Sequence, residues 1–139
     1  TDQLRAVAAG QCDLAVSNTY YYGRLLDSKR AEDRRVVDTV KVFWPNQDDR
    51  GAHVNISGAA IAKYAPNYEE AIKLLEFMVS DEVQAYYAEV NHEFPVVASA
   101  TVSETIKSLG KFKPHNLNLS ILGKNNKRAV MIMDRANWQ

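Results

Sequence analysis

Three consecutive tyrosines, Tyr20, Tyr21 and Tyr22, are the residues of this chain whose type and spacing best suit metal chemistry. A tyrosine phenolate is a hard, anionic oxygen ligand that suits a hard, highly charged cation such as Fe³⁺. A free phenol has a pKa near ~10, so a bound trivalent ion or the positive end of a helix must favour its ionisation. The run therefore indicates two alternatives: a metal site, or a packed face in which one or two rings enter the core.

The tyrosines lie where a predicted short strand, Leu14-Ala15-Val16, leads through Ser17-Asn18-Thr19 into a predicted helix over residues 19–28. Neighbouring residues of an ideal helix point about 100° apart, so all three rings cannot meet one ion. Two rings can converge where the first turn is irregular. The same junction offers free backbone N–H groups and the Asn18 amide for an accompanying anion.

Helices and short strands alternate along the rest of the chain, which favours an α/β class. The charged segment Lys29 to Asp38 is predicted to be a solvated loop or a loose helical turn. Residues 91–96 are expected to be extended. The remaining predicted helices cover about residues 2–9, 68–79, 81–89, 103–109 and 125–136, and the remaining predicted strands lie at 40–44 and within 53–63.

The composition is that of a soluble globular protein, with 46% apolar and 24% charged residues among 139. Basic and acidic residues number 17 each, so no net charge argues for nucleic acid or an anionic membrane surface as a partner. No apolar stretch approaches the ~18–20 residues of a membrane span, so direct membrane insertion is not expected. The single cysteine, Cys12, excludes an internal disulfide and is predicted to be an inert core thiol.

The other groups that could do chemistry are scattered. The histidines His53, His92 and His115 include no two at ligand spacing on one element, and each is assigned to a turn or to the surface. The sequence contains no discernible nucleophile–base pair or carboxylate dyad, and no Gly-rich phosphate loop. A binding protein is therefore favoured over an enzyme.

The segment Asn18-Thr19-Tyr20-Tyr21-Tyr22-Gly23-Arg24-Leu25 resembles the tyrosine-pair motif of ferric-iron-binding periplasmic proteins of ABC transporters. Residues 7–16, 43–58, 71–77 and 134–138 resemble further segments of that family, so the similarity covers essentially the whole chain. It implies an α/β, two-lobed class II fold. It also implies a periplasmic protein that captures Fe³⁺ between its lobes and hands it to the membrane permease of an ABC transporter.

Carried over by position, the family's paired tyrosine ligands fall on Tyr20 and Tyr21, and Tyr22 is assigned to packing. Asn18 falls where some members have an asparagine near a bound phosphate or carbonate. The resemblance therefore implies Fe³⁺ as cargo, with a synergistic anion of this kind beside it.

Members of this family are about twice as long as this chain, which resembles their C-terminal portion. By family topology, residues 1–50 belong to the second lobe, residues 51–101 return to the first lobe, and residues 102–139 return to the second. The remaining iron ligands are then expected in the missing N-terminal half of the same protein.

Two other functions stay open at this point. A class II solute-binding protein could carry a polyamine, thiamine, a phosphonate or an oxyanion, with the tyrosines stacking on the solute or hydrogen-bonding to it. A structural or interaction domain would bury Tyr20, Tyr21 and Tyr22 alike and would bind no metal.

Overall fold

The computed structural model describes residues 1–138, which form seven α-helices. Those residues form no β-strand, and one isolated parallel bridge joins Ala52 to Pro114. None of the described helices combines the length and the apolarity that crossing a membrane requires. The helices are α1 (Asp2–Ala8), α2 (Thr19–Leu26), α3 (Ala31–Thr39), α4 (Tyr68–Met78), α5 (Asp81–Val90), α6 (Glu104–Ser108) and α7 (Ser120–Arg135).

The predicted helices are confirmed where local signals are strong. Ser80 and Ser103 cap α5 and α6, since their hydroxyl oxygens accept hydrogen bonds from the backbone N–H groups of Val83 and Ile106. Gly10 follows α1 in the left-handed conformation, with φ of 72°, as expected after a helix C-terminus. The last helix, α7, begins earlier than predicted.

The predicted solvated loop or loose helical turn over residues 29–38 is instead, for most of its length, the regular helix α3. The helix is charged along its exposed side and buries Val36 and Val37. It also buries Asp33, whose carboxylate pairs with the guanidinium of Arg5 in α1. A high density of charge along a segment therefore did not prevent it from having one buried face.

The predicted strands at 14–16, 40–44 and within 53–63 are also not formed among the described residues. A strand exists only when a second segment pairs with its backbone, and such pairing is not encoded in local apolar patterning. Leu14, Val16 and Phe43 are instead highly exposed, at 83%, 82% and 79%. Residues 92–95 form no helix or strand, but His92 has a left-handed backbone with φ of 58°, so this residue is not extended as predicted.

The described chain divides into two compact units. The first comprises residues 1–43 and 55–111 and contains α1 to α6. The second comprises residues 44–54 and the segment from 112 onward, with α7 in it. The two units describe this chain by itself. The assignment of residues 1–50, 51–101 and 102–139 to lobes of the whole protein stays a prediction.

In the second unit, Lys113 is held by the turn that precedes Ala52. Its N–H donates to the Gln47 side-chain oxygen at 2.7 Å, and its carbonyl accepts from the Ala52 N–H at 2.9 Å. Gly51 has φ of 92°, and a Cβ there would lie 2.5 Å from the Lys113 carbonyl oxygen, so only glycine fits. The Trp44 and Phe112 rings stack with centroids 4.1 Å apart.

In the first unit, α2 is fixed by its packing against α3. Tyr22 and Leu25 are buried, at 9% and 2% exposed. The Tyr22 hydroxyl donates to the Val40 carbonyl oxygen at 2.9 Å, which ties α2 to the C-terminal end of α3. The assignment of Tyr22 to packing is confirmed.

A half-buried ion pair ties α1 to α3 in the same unit. Arg5 Nη2 lies 2.8 Å from Asp33 Oδ1, and the Ser28 hydroxyl donates to Asp33 Oδ2 at 2.7 Å. The Arg5 guanidinium, followed by the Ser28 hydroxyl, lowers the pKa of Asp33 from its ordinary value. The carboxylate form is therefore bound more tightly by the fold than the protonated form.

We expect Asp33→Asn to lower the stability of the protein at pH 7. A carboxyl whose pKa is lowered by folding stabilises the native state above its ordinary pKa of about 4, and this contribution is lost as the pH falls through the lower folded value. The difference in unfolding midpoint between wild type and variant should therefore shrink between pH 7 and pH 3. Asp13→Asn, at an exposed aspartate, is the matched control. A difference that stays constant with pH would contradict the assignment.

Candidate metal centre

The tyrosine pair lies in the first turn of α2, and Asn18 immediately precedes that turn. Asn18 has an extended backbone, and its side chain forms no capping hydrogen bond. Its amide instead donates to the Tyr20 hydroxyl at 2.9 Å. The Tyr21 N–H bonds to the Asn18 carbonyl three residues earlier, so the helix begins with a tightened turn.

Tyr20 and Tyr21 lie side by side, as convergence in an irregular first turn requires. Their ring centroids are 4.5 Å apart, with an angle of 55° between the ring planes. Both residues are half-buried, whereas Tyr22 is buried. The Arg24 guanidinium carbon lies 5.8 Å from each of the two ring centroids. The structure thus brings two phenols and one cation together on one side of α2.

The electrostatic environment of Tyr20 favours the protonated phenol. Hydrogen bonding with Tyr21 is the main cause that raises the pKa of Tyr20 above its ordinary value, and burial adds to it. The Asn18 amide and the Arg24 charge act in the opposite direction, because both stabilise a phenolate. Near neutral pH the Tyr20 side chain is therefore a protonated phenol.

A cavity of about 340 Å³ opens at the tyrosine pair. Its other walls come from segments distant in sequence. The Asn55 amide donates to Asn18 Oδ1 at 3.3 Å, and the Ser57 hydroxyl donates to Glu93 Oε1 at 3.4 Å. The complete lining consists of Tyr20, Tyr21, Arg24, Asn55, Ser57, Asn91 and Glu93.

Five of these lining residues were not singled out from the sequence. Arg24 had a usable signal, because residues three and four apart in a helix share a face, as Arg24 does with Tyr21 and Tyr20. The others, Asn55, Ser57, Asn91 and Glu93, lie on irregular segments, and only the tertiary fold brings them to the tyrosines. Asn18 adjoins the cavity through its hydrogen bonds to Tyr20 and Asn55.

One prediction about an isolated residue is corrected. Cys12 is exposed and not a core thiol, because the segment around it does not form the predicted strand. His92 was assigned to a turn or to the surface, and it lies in the left-handed turn after α5, where it is only 6% exposed. His53 is exposed, as expected. Within residues 1–138, no three or more histidine, cysteine, aspartate or glutamate side chains are grouped to hold a metal ion.

Residues 1–114 match the family model described as bacterial extracellular solute-binding protein. Over its whole length the chain is 43% identical to iron uptake protein A1 of Synechocystis and covers 39% of that protein. It is 26% identical to the major ferric iron-binding protein of Neisseria meningitidis serogroup B, where 98% of the chain covers 40% of the relative. The chain thus spans about two fifths of the length of these relatives.

Solved structures match the fold closely. A Trichodesmium protein described as IdiA or FutA in complex with iron and citrate ligands gives a TM-score of 0.94 at 47% identity, over 99% of this chain and 44% of that one. The ferric binding protein from Campylobacter jejuni gives 0.89 at 42% identity, over 96% and 42%. The predicted fold, part of a two-lobed class II protein, is confirmed by these matches, although the described residues themselves form no strand.

We expect Tyr21→Phe to lower the pKa of Tyr20 towards its ordinary value, because the hydroxyl that raises it is removed. Asn18→Ala should raise the same pKa further, since a hydrogen bond that stabilises the phenolate is lost. Alkaline titration of ¹³C-labelled tyrosine by NMR measures both shifts. Tyr64→Phe, at a residue 85% exposed, is the control and should leave Tyr20 unchanged. Shifts of the opposite sign would show that the hydrogen bonds are wrongly assigned.

Proposed function

Because the chain belongs to the bacterial extracellular solute-binding protein family, we propose that its protein binds Fe³⁺ through the phenolates of Tyr20 and Tyr21. The observation that carries this proposal is the pair of half-buried tyrosine rings, 4.5 Å apart, at one wall of a polar cavity. Hard phenolate oxygens suit a hard trivalent cation. Relatives and structural neighbours named for iron uptake or ferric iron binding support the same cargo.

The charges around the cavity fit a trivalent cargo. Two phenolates neutralise two of its three charges, and the Glu93 carboxylate on another wall supplies a third negative charge. Arg24 adds a positive charge near both rings and partly offsets the rise in the pKa of Tyr20, which assists loss of the phenolic proton. The cation and the arginine thus favour the same ionised state of Tyr20.

A synergistic anion such as carbonate or phosphate is part of the proposal. The Asn18 amide has two N–H donors, of which Tyr20 receives one, so the second can serve an anion. The Arg24 guanidinium, near both rings, supplies the charge that such an anion needs. The neighbour solved with iron and citrate supports a role for an oxygen-rich anion in this family.

We assign the protein to the periplasm and to delivery of iron to the permease of an ABC transporter. The extracellular solute-binding family supports this location and partner. The lobe assignment follows the family: residues 1–50 and 102–139 in the second lobe, residues 51–101 in the first. The missing N-terminal half of the same protein supplies the remaining ligands, since two phenolates are few for tight Fe³⁺ binding.

A purely structural role for all three tyrosines is disfavoured by their unequal burial. That alternative requires low exposure of the whole run, whereas only Tyr22 is buried and Tyr20 and Tyr21 remain half-exposed at the cavity. A class II protein for a polyamine, thiamine, a phosphonate or an oxyanion would keep the same fold. Calorimetry with ferric citrate and with that panel of solutes separates the two binding functions.

We expect the full-length protein to develop a visible phenolate-to-iron charge-transfer band when it is loaded with Fe³⁺. Tyr20→Phe and Tyr21→Phe should each weaken the band, and the double variant should abolish it, because phenylalanine has no oxygen ligand. Absorption spectroscopy under iron-replete conditions measures the effect. A colourless wild-type protein, or a double variant that keeps the band, would refute tyrosine ligation.

Tyr22→Phe is the matched control within the same run. It removes a hydroxyl that bonds to Val40 rather than one at the cavity. The charge-transfer band should persist, while the free energy of unfolding should fall by about 1 kcal/mol, the typical value of one hydrogen bond. Loss of the band in this variant would place the ligand one residue further along the helix.

A further inference from the structure

The buried His92 ring occupies the space that Gly23 leaves open in the middle of α2. A Cβ built on Gly23 would lie 2.7 Å from His92 Cβ and 2.8 Å from His92 Cγ. Gly23 has helical backbone geometry, so its own conformation does not require glycine. The close approach of His92 does, because any side chain at this position would push the histidine or the helix aside.

His92 adopts the left-handed conformation, with φ of 58°, between two residues of the cavity wall. Asn91 and Glu93 both line the cavity at the tyrosine pair, whereas the His92 side chain is 7% exposed against α2. The tight turn thus divides three consecutive residues between two environments. The outer two face the cavity, and the central one sets how closely the turn approaches the helix.

The His92 ring is held against α2 by its close contact with Gly23. His92 Nδ1 is buried without a partner and lies 3.6 Å from Asp27 Oδ2, beyond ordinary hydrogen-bond distance. Asp27 is the residue that ends α2, and its other carboxylate oxygen accepts a hydrogen bond from Thr105 of α6 at 2.5 Å. The helix is therefore fixed in the middle by His92 and at its C-terminal end by Asp27.

We propose that His92 is a positioning residue that sets the separation between the tyrosine pair on α2 and the Asn91 and Glu93 wall of the cavity. The inference that His92 sets the geometry around a bound iron rests on the proposed function. The inference that His92 sets the distance across the cavity does not. The contact with Gly23 transmits the position of the turn to the helix that carries Tyr20 and Tyr21.

Gly23→Ala tests the contact in the full-length protein. The added methyl should displace α2 and shift the ¹³Cζ resonances of Tyr20 and Tyr21 in iron-free protein, while the exposed Tyr64 stays unchanged. Gly123→Ala, at a helical glycine with nothing within 4 Å, is the matched control and should leave every tyrosine resonance in place. In a folded Gly23→Ala variant, unchanged Tyr20 and Tyr21 resonances would overturn the proposal.

His92→Gly provides the second variant. Glycine at residue 92 tolerates the left-handed backbone and lacks the Cβ that a methyl group at residue 23 would meet. The double variant Gly23→Ala with His92→Gly should therefore fold, and it should reverse part of the shift that Gly23→Ala causes in the Tyr20 and Tyr21 resonances. His92→Gly alone should shift the Tyr20 and Tyr21 resonances by releasing the turn. If Gly23→Ala does not fold, the His92→Gly variant decides by itself. Unchanged Tyr20 and Tyr21 resonances in that variant would overturn the proposal.

Iron measurements separate the two proposals. In Gly23→Ala we expect the wavelength of the charge-transfer maximum to change and iron to be released faster, by about tenfold or more. Such a loss is usual when residues that orient the metal ligands are disturbed. Lost thermal stability with an unchanged band and release rate would show a merely structural role and overturn the positioning of iron ligands. A wild-type protein without a charge-transfer band refutes iron binding by the tyrosines, and the iron-free resonances then still decide the positioning of α2.

Discussion

The packing of α2 against α3 is the constraint on which the cavity depends. Tyr22 and Leu25 are buried, and the Tyr22 hydroxyl bonds to the Val40 carbonyl at the end of α3. Because successive helical residues point about 100° apart, burying this face leaves Tyr20 and Tyr21 on the side of the helix that lines the cavity. One helix thus carries both an anchor in the core and two phenol groups at the cavity, on adjacent residues.

The protonation state of Tyr20 follows from the same arrangement. Side-by-side phenols raise the pKa of Tyr20, while the Asn18 amide and the Arg24 guanidinium lower it. Near neutral pH Tyr20 is therefore a protonated phenol.

Local signals predicted the helices well and the strands poorly. Serine caps and apolar periodicity identify α5 and α6, because the hydrogen bonds of a helix close within a few residues. Strand pairing is non-local, and the apolar segments at 14–16 and 40–44 form no ladder in the described part of the chain. The charged segment 29–38 was wrongly assigned to solvent because Asp33 pairs with Arg5, a residue too distant in sequence for a local pattern to reveal.

The sequence by itself determined the tyrosine run, its place at a helix start, and the resemblance that pointed to Tyr20, Tyr21 and Asn18. These features lie within a few neighbouring residues, so residue type and helical periodicity suffice to find them. The tertiary structure decided the rest of the cavity wall, where Asn55, Ser57, Asn91 and Glu93 meet the helix. It also decided why residue 23 must be glycine, because the contact with His92 joins positions distant in sequence, and only folding brings such positions together.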